Sequence, residues 1–127
     1  MIKVAPFEKL LKMQVLEAKD GFGKIVMPYA EEFTNPHAIL HGGAICSLAD
    51  TAAAVSLSTK YGGRVYFTVK LDMEFKSAIQ EGEIFAEARI IKRKGKFFFS
   101  KIDVKDGSDR LVATGSAVYY VPPQKST

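Results

Sequence analysis

Asp50 is the residue of this chain whose setting most needs a chemical explanation. It lies in the stretch from His41 to Val55, where nearly all other residues are small or apolar. If this stretch is a helix, the positions three, four and seven residues from Asp50 share its face, and no Lys or Arg is near enough to pair with it. A carboxylate in such surroundings is costly unless it is used or satisfied. Asp50 is therefore the first candidate for a catalytic group.

Gly42 and Gly43 stand where this helix is expected to begin. Amides of the first helical turn have no partner within the helix, and the helix dipole favours negative charge there. Glycine also lets a reacting carbonyl group approach the main chain closely. These amides are therefore suited to stabilise the oxyanion of an acyl-transfer reaction. Asp50 lies about two turns into the helix, about 10 Å from its start, which is too far to attack a carbonyl held at Gly42 of its own chain unless the substrate bridges the gap.

The elements that position these residues are predicted from patterning and turn signals. Alternating apolar and polar residues predict a strand at 65–75, and Asp20-Gly21 predicts a tight turn between two earlier strands. The remaining expected elements are a short helix at 6–13, strands at 14–20 and 23–29, a buried helix from Gly43 to about Lys60, and strands at 83–93, 97–105 and 110–121. Short Gly-containing connections make the later strands an antiparallel meander. One helix against about six such strands is an α+β arrangement, and the uncovered sheet is expected to meet another subunit.

Composition limits the other possibilities. A length of 127 residues suits one domain spanning 1–127. The single cysteine, Cys46, excludes an internal disulfide, and no side-chain set has metal-ligand spacing. We expect a cytoplasmic protein, because no apolar stretch predicts a signal peptide or a membrane span. The net charge of +4 is spread along the chain apart from residues 92–96, which favours a small anionic ligand over nucleic acid.

The motif residues also carry a family resemblance. Asn35, His41-Gly42-Gly43 and Leu48-Ala49-Asp50, at these spacings and followed by an alternating strand, resemble the signature of hotdog-fold acyl-CoA thioesterases of the phenylacetate-pathway (PaaI-like) branch. The similarity covers about residues 14 to 121. It implies a hotdog fold, in which an antiparallel sheet wraps around one long central helix. It also implies a homodimer and a homotetramer built as a dimer of dimers. The family often has Gly where Ala38 stands and Pro near Ala78.

The resemblance implies roles for individual residues. Asp50 would act as general base or as nucleophile, with the Gly42 amide of the partner subunit as oxyanion donor. Asn35 would hold the water or the carbonyl group, and His41 would order the loop or bond near the thioester. Thr68 resembles by position a Ser or Thr that assists the Asp in some relatives. Strict alternation, however, predicts Thr68 on the polar face of its strand.

The predicted function is hydrolysis of an aromatic or medium-chain acyl-CoA to the free acid and CoA. The Gly43 amide and the basic residues Arg93, Lys94 and Lys96 are the expected substrate-binding groups, because cations pair with phosphate oxygens. Coenzyme A is part of the substrate, so no separate cofactor or metal is expected.

Other interpretations stay open at this point. Asp50 could cap a helix that begins at Thr51, with 44–48 forming a strand. His41 is more typical of a structural residue before a helix than of a catalytic one, and Cys46 is more typical of buried packing. A non-catalytic acyl-CoA-binding module, a hotdog hydratase or dehydratase, and a purely structural protein are the alternative functions.

Overall fold

A computed structural model describes residues 5–123 as a six-stranded antiparallel sheet that wraps around one long helix. The elements in chain order are α1 (Pro6–Leu10), β1 (Gln14–Lys19), β2 (Phe22–Pro28), a 3₁₀ turn (Glu31–Phe33), α2 (Gly42–Tyr61), β3 (Phe67–Phe75), β4 (Glu83–Lys94), β5 (Phe97–Asp106) and β6 (Leu111–Tyr120). The sheet order is β1-β2-β4-β5-β6-β3, so β1 and β3 are its edges. The predicted α+β hotdog architecture is confirmed.

Small side chains allow α2 to lie directly on the sheet. Leu48, Ala49, Ala52 and Leu57 are fully buried beneath the strands. A methyl group built on Gly23 of β2 would come within 2.8 Å of the α2 main chain, so the strand and the helix backbone are in close contact there. The alternative in which Asp50 caps a shorter helix is wrong, because α2 begins at Gly42.

The predicted boundaries need small corrections with local causes. Asp20 and Gly21 both adopt positive φ, +49° and +80°, which is the conformation of a type I′ hairpin turn. The first helix ends at Leu10 rather than near 13, and Lys12 turns the chain at φ +59°. No helix among residues 5–123 is both long and apolar enough to cross a membrane.

A β-bulge at Val69 changes the phase of β3. Thr68 pairs with Tyr119 and Lys70 pairs with Val118, so Val69 is an extra residue in the strand. Beyond the bulge Leu71 packs against the core, as strict alternation predicts. Before the bulge the order is reversed: Thr68 faces α2, and Val69 is 52% exposed. The prediction that Thr68 lies on the polar face is therefore wrong.

β3 has no neighbouring strand on its outer side within the described chain, and it exposes apolar as well as charged side chains. Phe67 and Phe75 are about as exposed as Val69, at 51% and 47%. An exposed edge strand offers unpaired main-chain groups to another strand. This edge runs beside the part of α2 that carries the motif residues.

Candidate active site

The Asp50 carboxylate is held by two hydroxyl groups from different strands. Oδ1 accepts hydrogen bonds from Thr68 Oγ1 at 2.8 Å and from the Tyr119 hydroxyl at 2.7 Å. Asp50 is partly buried, and no cation in residues 5–123 forms an ion pair with it. Oδ2 accepts no hydrogen bond from the described residues, and it is not fully buried. The carboxylate therefore has one fixed oxygen and one open oxygen.

Thr68 reaches Asp50 only because of the bulge at Val69. Its hydroxyl makes the contact that the family resemblance implies for this position. The sequence pattern argued against this contact, because a strict period of two puts Thr68 on the side away from the helix. The structure brings Thr68 and Asp50 together.

Tyr119 is a site residue that sequence reasoning missed. It lies on the core side of β6 and is only 4% exposed. Burial raises the pKa of its hydroxyl well above the ordinary value, and the charge of Asp50 raises it further, so the group remains a protonated donor. One signal was available, because alternation along β6 places this tyrosine inward and a buried Tyr hydroxyl needs a partner.

The side chain of His41, the residue just before α2, caps the start of this helix. His41 Nδ1 accepts a hydrogen bond from the Gly43 amide at 2.8 Å. The His41 carbonyl accepts from the amides of Ala44 and Ile45 at 2.9 and 3.2 Å. Within residues 5–123 the Gly42 amide has no acceptor, so it is the donor that this end of the helix leaves free. Gly43, which the sequence grouped with Gly42, already uses its amide.

Asn35 organises the loop that leads to His41. Its Oδ1 accepts from the amides of His37 at 2.9 Å and Ile39 at 3.2 Å. Its Nδ2 donates to no described residue, so that group is the one left for a water or a carbonyl oxygen. Ala38 in this loop has φ +60°, which explains why glycine suits the position.

A cavity of about 230 Å³ opens beside the start of α2. Its apolar wall comes from the region of α1, the 3₁₀ turn and α2, and its remaining lining residues are Glu32, Thr34, His41, Gly43 and Ser47. The apolar residues are Phe7, Leu11, Phe33 and Ala44. Asp50 does not line it. The cavity therefore belongs to the end of the helix that presents the free amide.

The two parts of the site lie at opposite ends of β3. Asp50 is eight residues beyond Gly42 on α2, which is about 12 Å along the axis. Thr68, near the start of β3, contacts Asp50. A methyl group built on Gly42 would lie 3.7 Å from the ring of Phe75, at the end of β3. The edge strand therefore spans both parts, and one chain does not bring them together.

The basic turn, formed by Arg93, Lys94 and Lys96, lies at the far end of α2. Arg93 Nε donates to the Gly95 carbonyl at 2.9 Å, and its guanidinium lies 5.3 Å from the Phe98 ring centre. Phe98 packs on Tyr61, the last residue of α2, with ring centres 5.0 Å apart. The start and end of α2 are about 28 Å apart. Within one chain, the structure does not bring the basic turn to the Gly43 amide.

Cys46 lies on α2, is partly buried and is close to Asp50. Partial burial and then the nearby Asp50 charge raise the pKa of the Cys46 thiol, which opposes formation of a nucleophilic thiolate. Among residues 5–123 no group of three His, Cys, Asp or Glu side chains could hold a metal ion.

The thioesterase superfamily model matches residues 37–113, which include Gly42, Asp50 and Thr68. This chain belongs to the thioesterase superfamily. A relative from Archaeoglobus fulgidus, named "Putative esterase", is 31% identical over 113 residues, which cover 88% of this chain and 72% of that protein.

Solved structures agree on the fold. A conserved protein from Pseudomonas aeruginosa superimposes with a TM-score of 0.89 at 24% identity, over 94% of this chain and 95% of the other. The PaaI protein from the phenylacetic acid degradation operon of E. coli gives a TM-score of 0.87 at 21% identity, over 97% and 88%. The resemblance to hotdog thioesterases is confirmed.

Proposed function

We propose that this protein is an acyl-CoA thioesterase whose site combines Asp50 of one protomer with the Gly42 amide of its partner. The observation that carries the proposal is the Asp50 carboxylate, which forms no ion pair with a described residue. Two hydroxyls donate to its Oδ1, while Oδ2 stays open. The superfamily supplies the reaction class, since thioester hydrolysis needs a base or nucleophile and an oxyanion donor.

As general base, Asp50 Oδ2 takes a proton from water as the water oxygen bonds to the thioester carbonyl carbon. The carbonyl electron pair moves onto oxygen, where the Gly42 N–H stabilises the charge, a contribution of about 2.7–4 kcal/mol for one such donor. The carbon–sulfur bond then breaks, and the CoA sulfur takes the proton back from Asp50. As nucleophile, Asp50 would bond to the carbonyl carbon itself, and the carbon–sulfur bond would break to release the CoA thiolate and leave an anhydride. Water then hydrolyses the anhydride to the free acid and the Asp50 carboxylate, and the proton it releases goes to the thiolate. Single-turnover hydrolysis in H₂¹⁸O separates the routes, because only the nucleophilic route can place ¹⁸O in Asp50.

The proposed dimer forms through β3. Thr68 and Phe75 mark the ends of the strand that lie beside Asp50 and Gly42. Two such edges that pair antiparallel about a two-fold axis bring the start of one strand opposite the end of the other. If the axis passes between Leu71 and Asp72, Asp50 of one protomer comes beside Gly42 of its partner. The same pairing satisfies the main-chain groups of the exposed edge.

A homotetramer built as a dimer of dimers is part of the proposal. Ile91 and Phe97 on the sheet strands are 62% and 41% exposed. Exposed apolar residues of this kind support a further contact between dimers.

The substrate is proposed from the cavity and the basic turn. The cavity of about 230 Å³ beside the start of α2 has one apolar wall, which suits a compact aromatic or medium-chain acyl group. The basic turn lies beyond Tyr61, about 16 Å along α2 from Asp50, so a long pantetheine arm would separate the thioester from phosphates bound by Lys94 and Lys96.

The experiment is a thiol-release assay over a panel of acyl-CoA esters, with wild type and Asp50→Asn. Asparagine keeps the shape and removes the base, so hydrolysis should fall at least about a hundredfold while acyl-CoA binding persists. Asp103→Asn is the matched control, since Asp103 is also a partly buried carboxylate that accepts from a threonine, Thr114, at 2.9 Å. It should keep wild-type activity.

Two outcomes would contradict the proposal. Near-normal turnover in Asp50→Asn would remove Asp50 from the mechanism. Tight acyl-CoA binding by a wild-type protein that hydrolyses none of the panel would favour a binding module instead.

A further inference from the structure

Tyr119 and Thr68 donate to the same oxygen of Asp50 but are held with different rigidity. Thr68 lies on an edge strand next to a bulge, so its main chain is supported on one side only. Tyr119 pairs with Thr68 on one side and with Phe98 on the other. Its ring also packs against Tyr66, with centres 6.0 Å apart. Tyr119 is therefore the donor that the sheet holds most firmly.

A carboxylate with two hydroxyls on one oxygen has lost most of its freedom to rotate. The shorter of the two bonds comes from Tyr119, at 2.7 Å, and hydrogen bonds to charged groups are stronger than neutral ones. Rotation about the Cβ–Cγ bond of Asp50 would break both contacts. The orientation of the carboxylate plane is thus fixed, and Oδ2 is the oxygen left without a hydrogen bond from the described residues.

We propose that Tyr119 is a positioning residue of this site: its hydroxyl locks Oδ1 of Asp50 so that Oδ2 is the oxygen that meets water or the thioester. The inference rests on the proposed thioesterase function. Tyr119 would thus set the direction of the oxygen that reacts.

A purely structural role must be distinguished from this one. The Tyr119 hydroxyl also lies 2.9 Å from the main-chain oxygen of Asp50, so it could simply tie β6 to α2. Tyr66 is a matched reference, because its hydroxyl donates at 3.1 Å to the main-chain oxygen of Ala54, one turn later on the same helix. Tyr66, directly before β3, therefore makes a hydrogen bond to the helix main chain without touching the carboxylate.

The test compares Tyr119→Phe with Tyr66→Phe. For Tyr119→Phe we expect kcat to fall about tenfold with KM nearly unchanged. In the Asp50→Asn background, Tyr119→Phe should cause no further loss of kcat, because the carboxylate oxygen that it positions is no longer a base. Tyr66→Phe should leave kcat and KM unchanged, whatever it does to the melting temperature. An unchanged kcat in Tyr119→Phe, an equal fall in Tyr66→Phe, or a full further loss in the Asp50→Asn background would overturn the proposal.

A second measurement does not depend on turnover. The Asp50 carboxyl resonance, observed by ¹³C NMR at one fixed pH, should change its chemical shift in Tyr119→Phe and not in Tyr66→Phe, because only the first variant loses the hydrogen bond to Oδ1. An unchanged chemical shift in Tyr119→Phe would reject the hydrogen bond itself. If Asp50→Asn stays active while this resonance shifts in Tyr119→Phe, the proposed function fails but the contact between Tyr119 and Asp50 stands.

Discussion

The two parts of the candidate site are built in different ways. The donor part, the free Gly42 amide with its His41 cap, is made by residues next to each other in sequence. The acceptor part joins α2, β3 and β6, with Asp50 lying 18 residues from Thr68 and 69 from Tyr119. Local hydrogen bonds create the first, and strand register creates the second.

This difference indicates how each part should respond to change. A substitution in the donor part alters one amide or one cap and leaves the sheet untouched. A substitution in the acceptor part acts through contacts that depend on the packing of three elements. The two parts then meet, in our proposal, only across the dimer.

The largest expected effect comes from removing the Gly42 amide. Gly42→Pro deletes the N–H at the first helical position, where proline is well tolerated, and His41 already has the extended conformation, φ −61° and ψ 135°, that a residue before proline needs. We expect kcat to fall by about 10² to 10³ with the fold retained. Gly42→Ala keeps the amide, and its methyl would make ordinary contact with Phe75. It should stay within a few-fold of wild type; equal losses in both variants would mean that bulk, and not the amide, matters.

Mixing two inactive variants tests whether the parts meet across the dimer. Asp50→Asn and Gly42→Pro chains, exchanged at equal concentration, should recover about a quarter of wild-type activity, since about half of the dimers are mixed and each has one intact site. Native mass spectrometry would establish that mixed dimers form. Each variant taken alone through the same exchange is the control. Mixed dimers without recovered activity would place both groups of one site in the same chain.

Thr68 tests the contribution of the bulge to the acceptor part. Thr68→Val keeps the shape and removes the donor, so kcat should fall about tenfold, close to ~1.4 kcal/mol in the barrier. Thr68→Ser keeps a hydroxyl and should retain most of the activity. The comparison uses initial rates at saturating substrate. If Ser and Val lose activity equally, the hydroxyl is not what Thr68 provides.

The smallest expected effect is on stability at the donor part. His41→Ala removes the cap on the Gly43 amide and should cost about 1 kcal/mol, or roughly 3–4 °C in melting temperature. His41→Asn offers an oxygen to the same amide and should recover most of that loss. Thermal unfolding followed by circular dichroism measures both. A loss in His41→Asn as large as in His41→Ala would show that the capping bond does not stabilise the helix.

Most of the fold could be predicted because its signals are local. Alternation, turn glycines and a run of small residues indicated the strands, the hairpins and the buried helix. Thr68 shows where this fails. One inserted residue at Val69 reverses which side faces the helix, and nothing in the pattern of 65–75 marks the insertion.

The sequence alone determined the donor part and the candidacy of Asp50, because a helix start, its capping residue and its small-residue faces follow from neighbours a few positions apart. Only the tertiary structure decided which groups meet Asp50. The bulge turns Thr68 inward, and the pairing of β6 with β3 carries Tyr119 to the carboxylate. Those contacts depend on register between strands distant in sequence, and register is a property of the packed sheet rather than of any one segment.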